Sequence, residues 1–330
     1  MSEARTPVAA ATRGSEAPTP IVALAGGVGA ARFLCGLAQV VDPSQVTAIV
    51  NTGDDRVFYG VHVSPDIDIV TYSLAGRVNR ERGFGLEGDT FAVIEALGAL
   101  GHETWFRLGD RDFATCQHRT QRLAQGAGLA AVTDEIRRSF DVAMRILPMS
   151  EAPCPSIVVL GGGRRLHFEE YMVRDGAPSD VEAVDLAAAA DAAPGPGVLD
   201  ALRGAQTILL CPSNPVVSIG PILALPGVRE AIAASGAPVV AVSPIVGGAP
   251  VKGPADALLR GIGAEVSARG VARLYASFVN GFVLDRRDEA ELADIEALGI
   301  RARCVETLLR DTGVAAALAR SALDLAEALR

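Results

Sequence analysis

Five apolar residues, Ile21-Val-Ala-Leu-Ala25, run directly into Gly26-Gly-Val-Gly-Ala-Ala-Arg32. Five residues are too few for a buried helix. Beyond the glycines, Phe33, Leu34, Leu37, Val40 and Val41 recur at helical spacing, so the stretch predicts strand, tight turn and helix. Glycine lets a ligand approach the backbone closely, and the free N–H groups that open a helix favour a phosphate. The same turn can also serve only to pack the strand against the helix. It lacks the second half of the dinucleotide fingerprint G-x-G-x-x-G, and no G-K-[ST] follows it.

A chain of 330 residues can bury the core of one large α/β domain or two smaller ones. Its apolar content of 49% includes only 5% aromatics, which suits close helix-on-sheet packing. A net charge of −9 with no basic run argues against nucleic acid and anionic membranes as partners, while a small anionic ligand stays open. Cys35, Cys116, Cys154, Cys211 and Cys304 are scattered and odd in number, which predicts neither disulfides nor zinc. No apolar run has membrane-spanning length. Residues 1–20, rich in Ala, Thr, Pro and Glu without an apolar centre, predict a disordered leader on a cytoplasmic protein.

A second apolar run, Val46-Thr-Ala-Ile-Val50, ends in Asn51-Thr-Gly-Asp-Asp55, and Ser64-Pro-Asp-Ile-Asp68 precedes a helix expected over residues 69–74. Residues 77–88 read as a loop near the site and 90–100 as a helix. A short strand or turn is expected at 105–108. From 113 to 140 the period is helical, with Thr133 as the expected N-cap of its second helix. Strands are expected at 145–148, 156–160 and 166–171, with Gly161-Gly-Gly163 as a hairpin turn, and a helix or linker at 184–193. The parallel α/β rhythm returns with strands at 207–210, 238–242 and 281–285, and an amphipathic helix over 314–329 that can serve a homodimer or the core. The expected fold is α/β, a Rossmann-like doubly wound, mostly parallel sheet. Its core takes residues 21–108 and 145–330, and a small helical subdomain is inserted at 109–144.

In such sheets ligands bind beyond the carboxyl ends of the strands, where the glycine turn and Asp54-Asp55 both fall. Paired carboxylates together with phosphate oxygens are the usual ligands of Mg²⁺, and Asp66 with Asp68 and Asp110 with Asp112 form two further acidic pairs. Each can instead be a helix cap or a solvated side chain. Arg32, Arg107 and Arg111 can neutralise a polyphosphate. Ser213-Asn214 and Ser243 sit in proline-stiffened loops suited to a nucleotide base or sugar. Lys252 is a conspicuous cation in a chain with very few lysines. The four histidines show no metal-ligand spacing.

Seven motifs occur in order: Gly26-Gly-Val-Gly-Ala-Ala-Arg32, Asn51-Thr-Gly-Asp-Asp55, Ser64-Pro-Asp-Ile-Asp68, Leu108-Gly-Asp-Arg-Asp-Phe-Ala-Thr115, Leu147-Pro-Met-Ser150, Pro212-Ser-Asn-Pro-Val-Val-Ser-Ile-Gly-Pro221 and Val242-Ser-Pro-Ile245. Together they resemble the 2-phospho-L-lactate transferase family (CofD/FbiA) of coenzyme F420 biosynthesis, over nearly the whole chain. The resemblance implies a Rossmann-like core with a small helical subdomain. It also implies transfer of a phospholactyl, phosphoenolpyruvyl or 3-phosphoglyceryl unit from a GMP-linked diphosphate to the terminal ribityl hydroxyl of the deazaflavin Fo, with release of GMP. On that footing Asp54, Asp55, Asp66 and Asp68 surround Mg²⁺, and Asp54, Asp55 or Asp68 acts in catalysis. Gly26, Gly27 and Gly29 cradle the diphosphate, Ser213, Asn214 and Ser243 hold the guanosine side, and Asp68, Arg107 and Asp110 face Fo. The glycine-turn variant leans toward the enolpyruvyl donor.

The rival reading is a nucleotide-sugar-binding regulator of a related family without transferase activity. Its acidic loop continues with Gly and Ser, where this chain has Arg56-Val-Phe-Tyr59. An NAD-dependent dehydrogenase is disfavoured by the incomplete glycine fingerprint, although Asp54 stands where such an enzyme needs an acid for the ribose.

Overall fold

Runs of Val, Ile, Leu and Ala without charge make stable strands only when both faces of the sheet are covered. The computed structural model, which describes residues 20–79 and 81–330, covers them in this way. The leader expected over residues 1–20 lies outside that range except for Pro20. Seven strands form the central sheet: β1 (Ile21–Ala25), β2 (Val46–Val50), β3 (Arg145–Pro148), β4 (Thr207–Leu210), β5 (Val239–Val242), β6 (Gly281–Asp285) and β7 (Arg301–Val305). All pairings are parallel, in the order β7-β6-β5-β4-β1-β2-β3. The order reverses between β1 and β4, which opens a crevice beyond their carboxyl ends.

Successive side chains of a strand point to opposite faces, so β1 divides its residues between two cores. Val22 and Leu24 pack with Ile49, Ile208 and Leu210, while Ala23 and Ala25 join Ala48, Val50 and Leu209. The second core is closed by α1 (Gly27–Leu37), whose Ala30, Phe33, Leu34 and Leu37 face it, and by the C-terminal helix Thr312–Glu327. A Cβ at Gly36 would stand 2.2 Å from the carbonyl carbon of Ala315, so glycine is what lets these two helices meet at their backbones.

Three further helices follow, the first two lining the site and the third packing against the second. They are α2 (Pro65–Leu74), α3 (Asp110–Ala124) and α4 (Leu129–Ser139). Helix α2 has Pro65 in its first turn and Asp66 and Asp68 beside its positive end, where proline and acids are both favoured. Several expectations differ from the structure. Residues 105–108 adopt no regular structure. Thr133 is not a cap: α4 starts at Leu129 behind Gly128, and Thr133 lies buried inside it. The strand expected at 166–171 ends at His167 and gives way to a π-helix, Glu170–Arg174. Part of the helix or linker expected at 184–193 is strand: Val181–Asp185 pairs with Ile157–Leu160, which also pairs with Arg164–His167 across the Gly161–Gly163 turn. The helices Val228–Ser235 and Ala268–Tyr275 and strand β7 went unread, because their apolar positions are diluted by Arg, Glu and Ala.

Candidate active site

The loops that leave β1, β2, β4 and β5 converge on one cavity of about 760 Å³. Gly26, Gly27 and Gly29 form one edge of it. Asp54, Asp66 and Asp68, together with Ser213, Asn214, Ser243 and Arg107, also line it. Of the sequence-predicted site residues, Asp55, Asp110 and Arg111 are absent from the lining, and Arg111 Nη1 donates instead to the Glu87 carbonyl (3.2 Å).

The glycine turn is shaped by close approach. A Cβ at Gly29 would fall 2.3 Å from the carbonyl oxygen of Pro212, and one at Gly26 would fall 2.7 Å from Asp66 Oδ2. Gly27 has φ +73°, a conformation that side chains disfavour. No side chain caps α1 at Gly26. Instead the Gly27 N–H donates to Asp66 Oδ1 (2.7 Å), the Gly26 N–H donates to Ser213 Oγ (3.2 Å), and Asn51 Nδ2 donates to Asp66 Oδ2 (2.9 Å). The first loop, the acid on α2 and the loop after β4 are thereby locked into one unit.

The acids of this unit are crowded out of water. Burial, followed by repulsion from Asp66, holds Asp54 well above the usual carboxylate range, and Asp54 Oδ1 has no hydrogen-bond partner. Burial likewise raises Asp66 to about 6. Glu169, on the cavity wall, is pushed to about 8 by burial and then by Asp66. Two buried, oxygen-only acids with an orphaned acceptor fit a hard divalent cation, which would relieve both desolvation and repulsion. Asp54 and Asp66 are the residues that could hold one.

Asp55 and Asp68 do not join that pair. Asp55 Oδ2 accepts from Ser64 Oγ (2.7 Å) and contacts His62 Nε2 (3.1 Å). Asp68 meets the fully buried Arg119 guanidinium through both oxygens, with Nη1 at 3.1 Å from Oδ2. Among the described residues, three potential ligands come within mutual reach only at Asp68, Asp112 and Cys116, not among the four predicted aspartates. A guanidinium and a thiol make that second cluster a poor place for a hard cation. Next to it, Tyr72 Oη donates to Asp112 Oδ1 (2.8 Å), and burial followed by Asp68 raises Asp112 to about 7. Asp110 turns away from the cavity. Its carboxylate accepts from Thr90 Oγ1 (2.5 Å) and from the N–H groups of Ala92 (3.1 Å) and Val93 (2.9 Å), capping the helix Ala92–Ala99.

Sequence reasoning passed over Glu169, which sits where a strand was expected to continue. It also left out the aromatic wall, Trp105 and Phe106. Phe106 stacks on Phe58 at 4.0 Å. Its only signal in the sequence was a concentration of aromatics in a chain that has few of them.

A family profile described as 2-phospho-L-lactate transferase CofD matches residues 21–310. A phosphoenolpyruvate transferase of Streptomyces griseus is 47% identical, covering 94% of this chain and 99% of that protein. One from Mycolicibacterium smegmatis is 38% identical (93% and 98%), and a 2-phospho-L-lactate transferase of Methanosarcina mazei is 38% identical (88% and 95%). Among solved structures, a Bacillus halodurans protein of the upf0052 family superposes with a TM-score of 0.63. It is 18% identical and covers 94% of this chain and all of that one, so the likeness is one of fold. By its profile match and by these relatives, the chain belongs to the 2-phospho-L-lactate transferase CofD family.

Proposed function

We propose that this protein transfers the phosphoenolpyruvyl unit of a GMP-linked diphosphate to the terminal ribityl hydroxyl of Fo, 7,8-didemethyl-8-hydroxy-5-deazariboflavin. The products are GMP and the dehydro form of coenzyme F420-0. The observation that carries this reading is the union of the glycine turn with the buried, mutually repelling pair Asp54 and Asp66 at the switch point of the sheet. The names of the 38–47% identical actinobacterial relatives support the enolpyruvyl donor over the lactyl one.

In the proposed step the hydroxyl oxygen of Fo bonds to the phosphorus distal to guanosine. The bridging P–O bond breaks, and GMP departs with the electron pair. In such transfers the protein mainly positions the reactants and spreads charge. A Mg²⁺ ion held by Asp54 and Asp66 would neutralise charge on the diphosphate oxygens. The open end of α1 faces the same diphosphate, with Gly26, Gly27 and Gly29 admitting it close to the backbone. Ser213, Asn214 and Ser243 take the guanosine side, and Arg107 with Trp105 and Phe106 the flat deazaflavin. Glu169 accepts the hydroxyl proton, since its value of about 8 suits a general base near neutrality. Asp68 acts at a distance, by fixing Arg119 and α3.

The test is mass spectrometry of the products after incubation with Fo, Mg²⁺ and each of the three GMP-linked acids. The enolpyruvyl donor should give the dehydro product. No product from any donor, combined with thermal stabilisation by a UDP-sugar and not by GDP or Fo, would overturn the transferase in favour of a nucleotide-sugar-binding regulator.

A further inference from the structure

Among the described residues, four cationic side chains line the cavity: Arg32, Arg107, Lys252 and Arg310. Two of them are engaged. Arg310 pairs with Glu306 (3.4 Å), and the Arg107 guanidinium lies over the Phe91 ring, 4.5 Å from its centroid. Arg32 spends one nitrogen on the Leu309 carbonyl (3.2 Å), and among the described residues it meets no carboxylate and Lys252 has neither an ion pair nor a hydrogen bond. Both reach the same gap: a Cβ at Gly83 would lie 3.7 Å from Arg32 Nη2 and 3.8 Å from Lys252 Nζ. Two like charges that share a gap without a counter-ion repel each other and favour an anion between them.

The elements behind these side chains fix that gap. Arg32 stands on α1, five residues or about 7.5 Å along the axis from Gly27, so it lies beyond the glycine turn and not over it. Lys252 follows the hairpin Ile245–Val246/Ala249–Pro250. The buried Asp288 pins the tip of that hairpin, accepting from the N–H groups of Gly247 (2.9 Å) and Gly248 (3.0 Å). Lys252 is also the chain's only lysine, so its ε-amine is chemically unique among the side chains.

Resting on the transferase reading, we infer that Arg32 and Lys252 form the subsite that takes the carboxylate of the transferred acid. The donor carries one anionic group that GDP lacks, and the turn at Gly26–Gly29 already serves the diphosphate. A carboxylate between a guanidinium and an ammonium accepts charge-assisted hydrogen bonds from both. The pair thereby distinguishes an acid-bearing donor from a plain nucleoside diphosphate.

The experiment compares calorimetric binding of GDP, GMP-linked phospholactate and Fo to wild-type protein, K252M and R32M, all with Mg²⁺. Both variants should bind the phospholactate compound about tenfold more weakly, with GDP and Fo unchanged within twofold, and K252R should recover most of the loss. In wild-type protein, acetylation of Lys252 by an amine-reactive ester, followed by peptide mass spectrometry, should be suppressed by GMP-linked phospholactate and not by GDP. Unchanged affinity for the acid-bearing compound overturns the inference. An equal loss for GDP also overturns it, and assigns the pair to a phosphate. Wild-type protein that binds GMP-linked phospholactate yet makes no product with Fo from any of the three GMP-linked acids overturns the transferase reading and leaves the subsite standing.

Discussion

Glu169 carries the sharpest residue-scale consequence. It is a cavity-wall acid whose value of about 8, set by burial and then by Asp66, lets it release and take up a proton near neutrality. As the base for the Fo hydroxyl it must be ionised, and Mg²⁺ on Asp54 and Asp66 would weaken the repulsion that raises it, so the rate should rise with pH through an inflection below that value and then level. Glu169→Gln should lower kcat by roughly 10²–10⁴ with little change in KM for the donor, and should abolish that rise. A kcat within threefold of wild type, or an unaltered pH–rate profile, would remove Glu169 from the proton transfer. At this scale the sequence was partly legible. Asp54 and Asp66 could be singled out because each follows a strand or opens a helix beside the glycine turn. Asp55, adjacent to Asp54, was indistinguishable from it in sequence, and only the fold turns it toward Ser64 and His62. Asp110 and Asp112 look alike too, yet α3 points the first at a neighbouring helix and the second into the cavity.

Among the elements, α3 depends on a buried charge. Arg119 is fully enclosed and held by Asp68 on α2, with a further hydrogen bond to the His62 carbonyl (3.1 Å), so one ion pair joins α3, α2 and the hairpin Arg56–Phe58/Val61–Val63. Removing one partner of such a pair leaves an uncompensated charge in a dry interior. Arg119→Met should therefore destabilise the protein by about 3–5 kcal/mol, read as a lower midpoint in urea unfolding. Adding Asp68→Asn should return much of that loss. A single variant as stable as wild type would show that the pair contributes nothing to docking α3. Helical periodicity revealed that residues 113–140 form helices, but not that a charged arginine lies on the inward side, since one buried Arg among others that reach solvent leaves no mark on the pattern.

For the whole molecule, the crowded acids tie stability to pH and to divalent cation. Glu169, Asp112 and Asp66 keep their protons in the fold up to about 8, 7 and 6, against ordinary values of 4.5, 3.8 and 3.8. Between the two sets of values the folded state binds more protons than the unfolded one. The stabilisation is therefore complete below about pH 4 and is lost as pH rises through 6 to 8. Thermal unfolding without metal should show Tm falling across that window, on the order of 5 °C. Mg²⁺ should raise Tm more at pH 8 than at pH 5.5, and Asp54→Asn should blunt the Mg²⁺ effect. Equal Mg²⁺ stabilisation at both pH values would contradict a cation seated on these acids. By itself the sequence determined the strand–turn–helix opening, the parallel α/β class and the family. Each of these is written in local spacing: apolar runs of strand length, glycines between them, and seven short motifs in fixed order. The tertiary structure alone decided which acids share one buried site, which are spent as caps and ion pairs, and which cations are left facing the cavity. Those outcomes depend on distances between residues far apart in the chain, and on how far packing removes each charge from water.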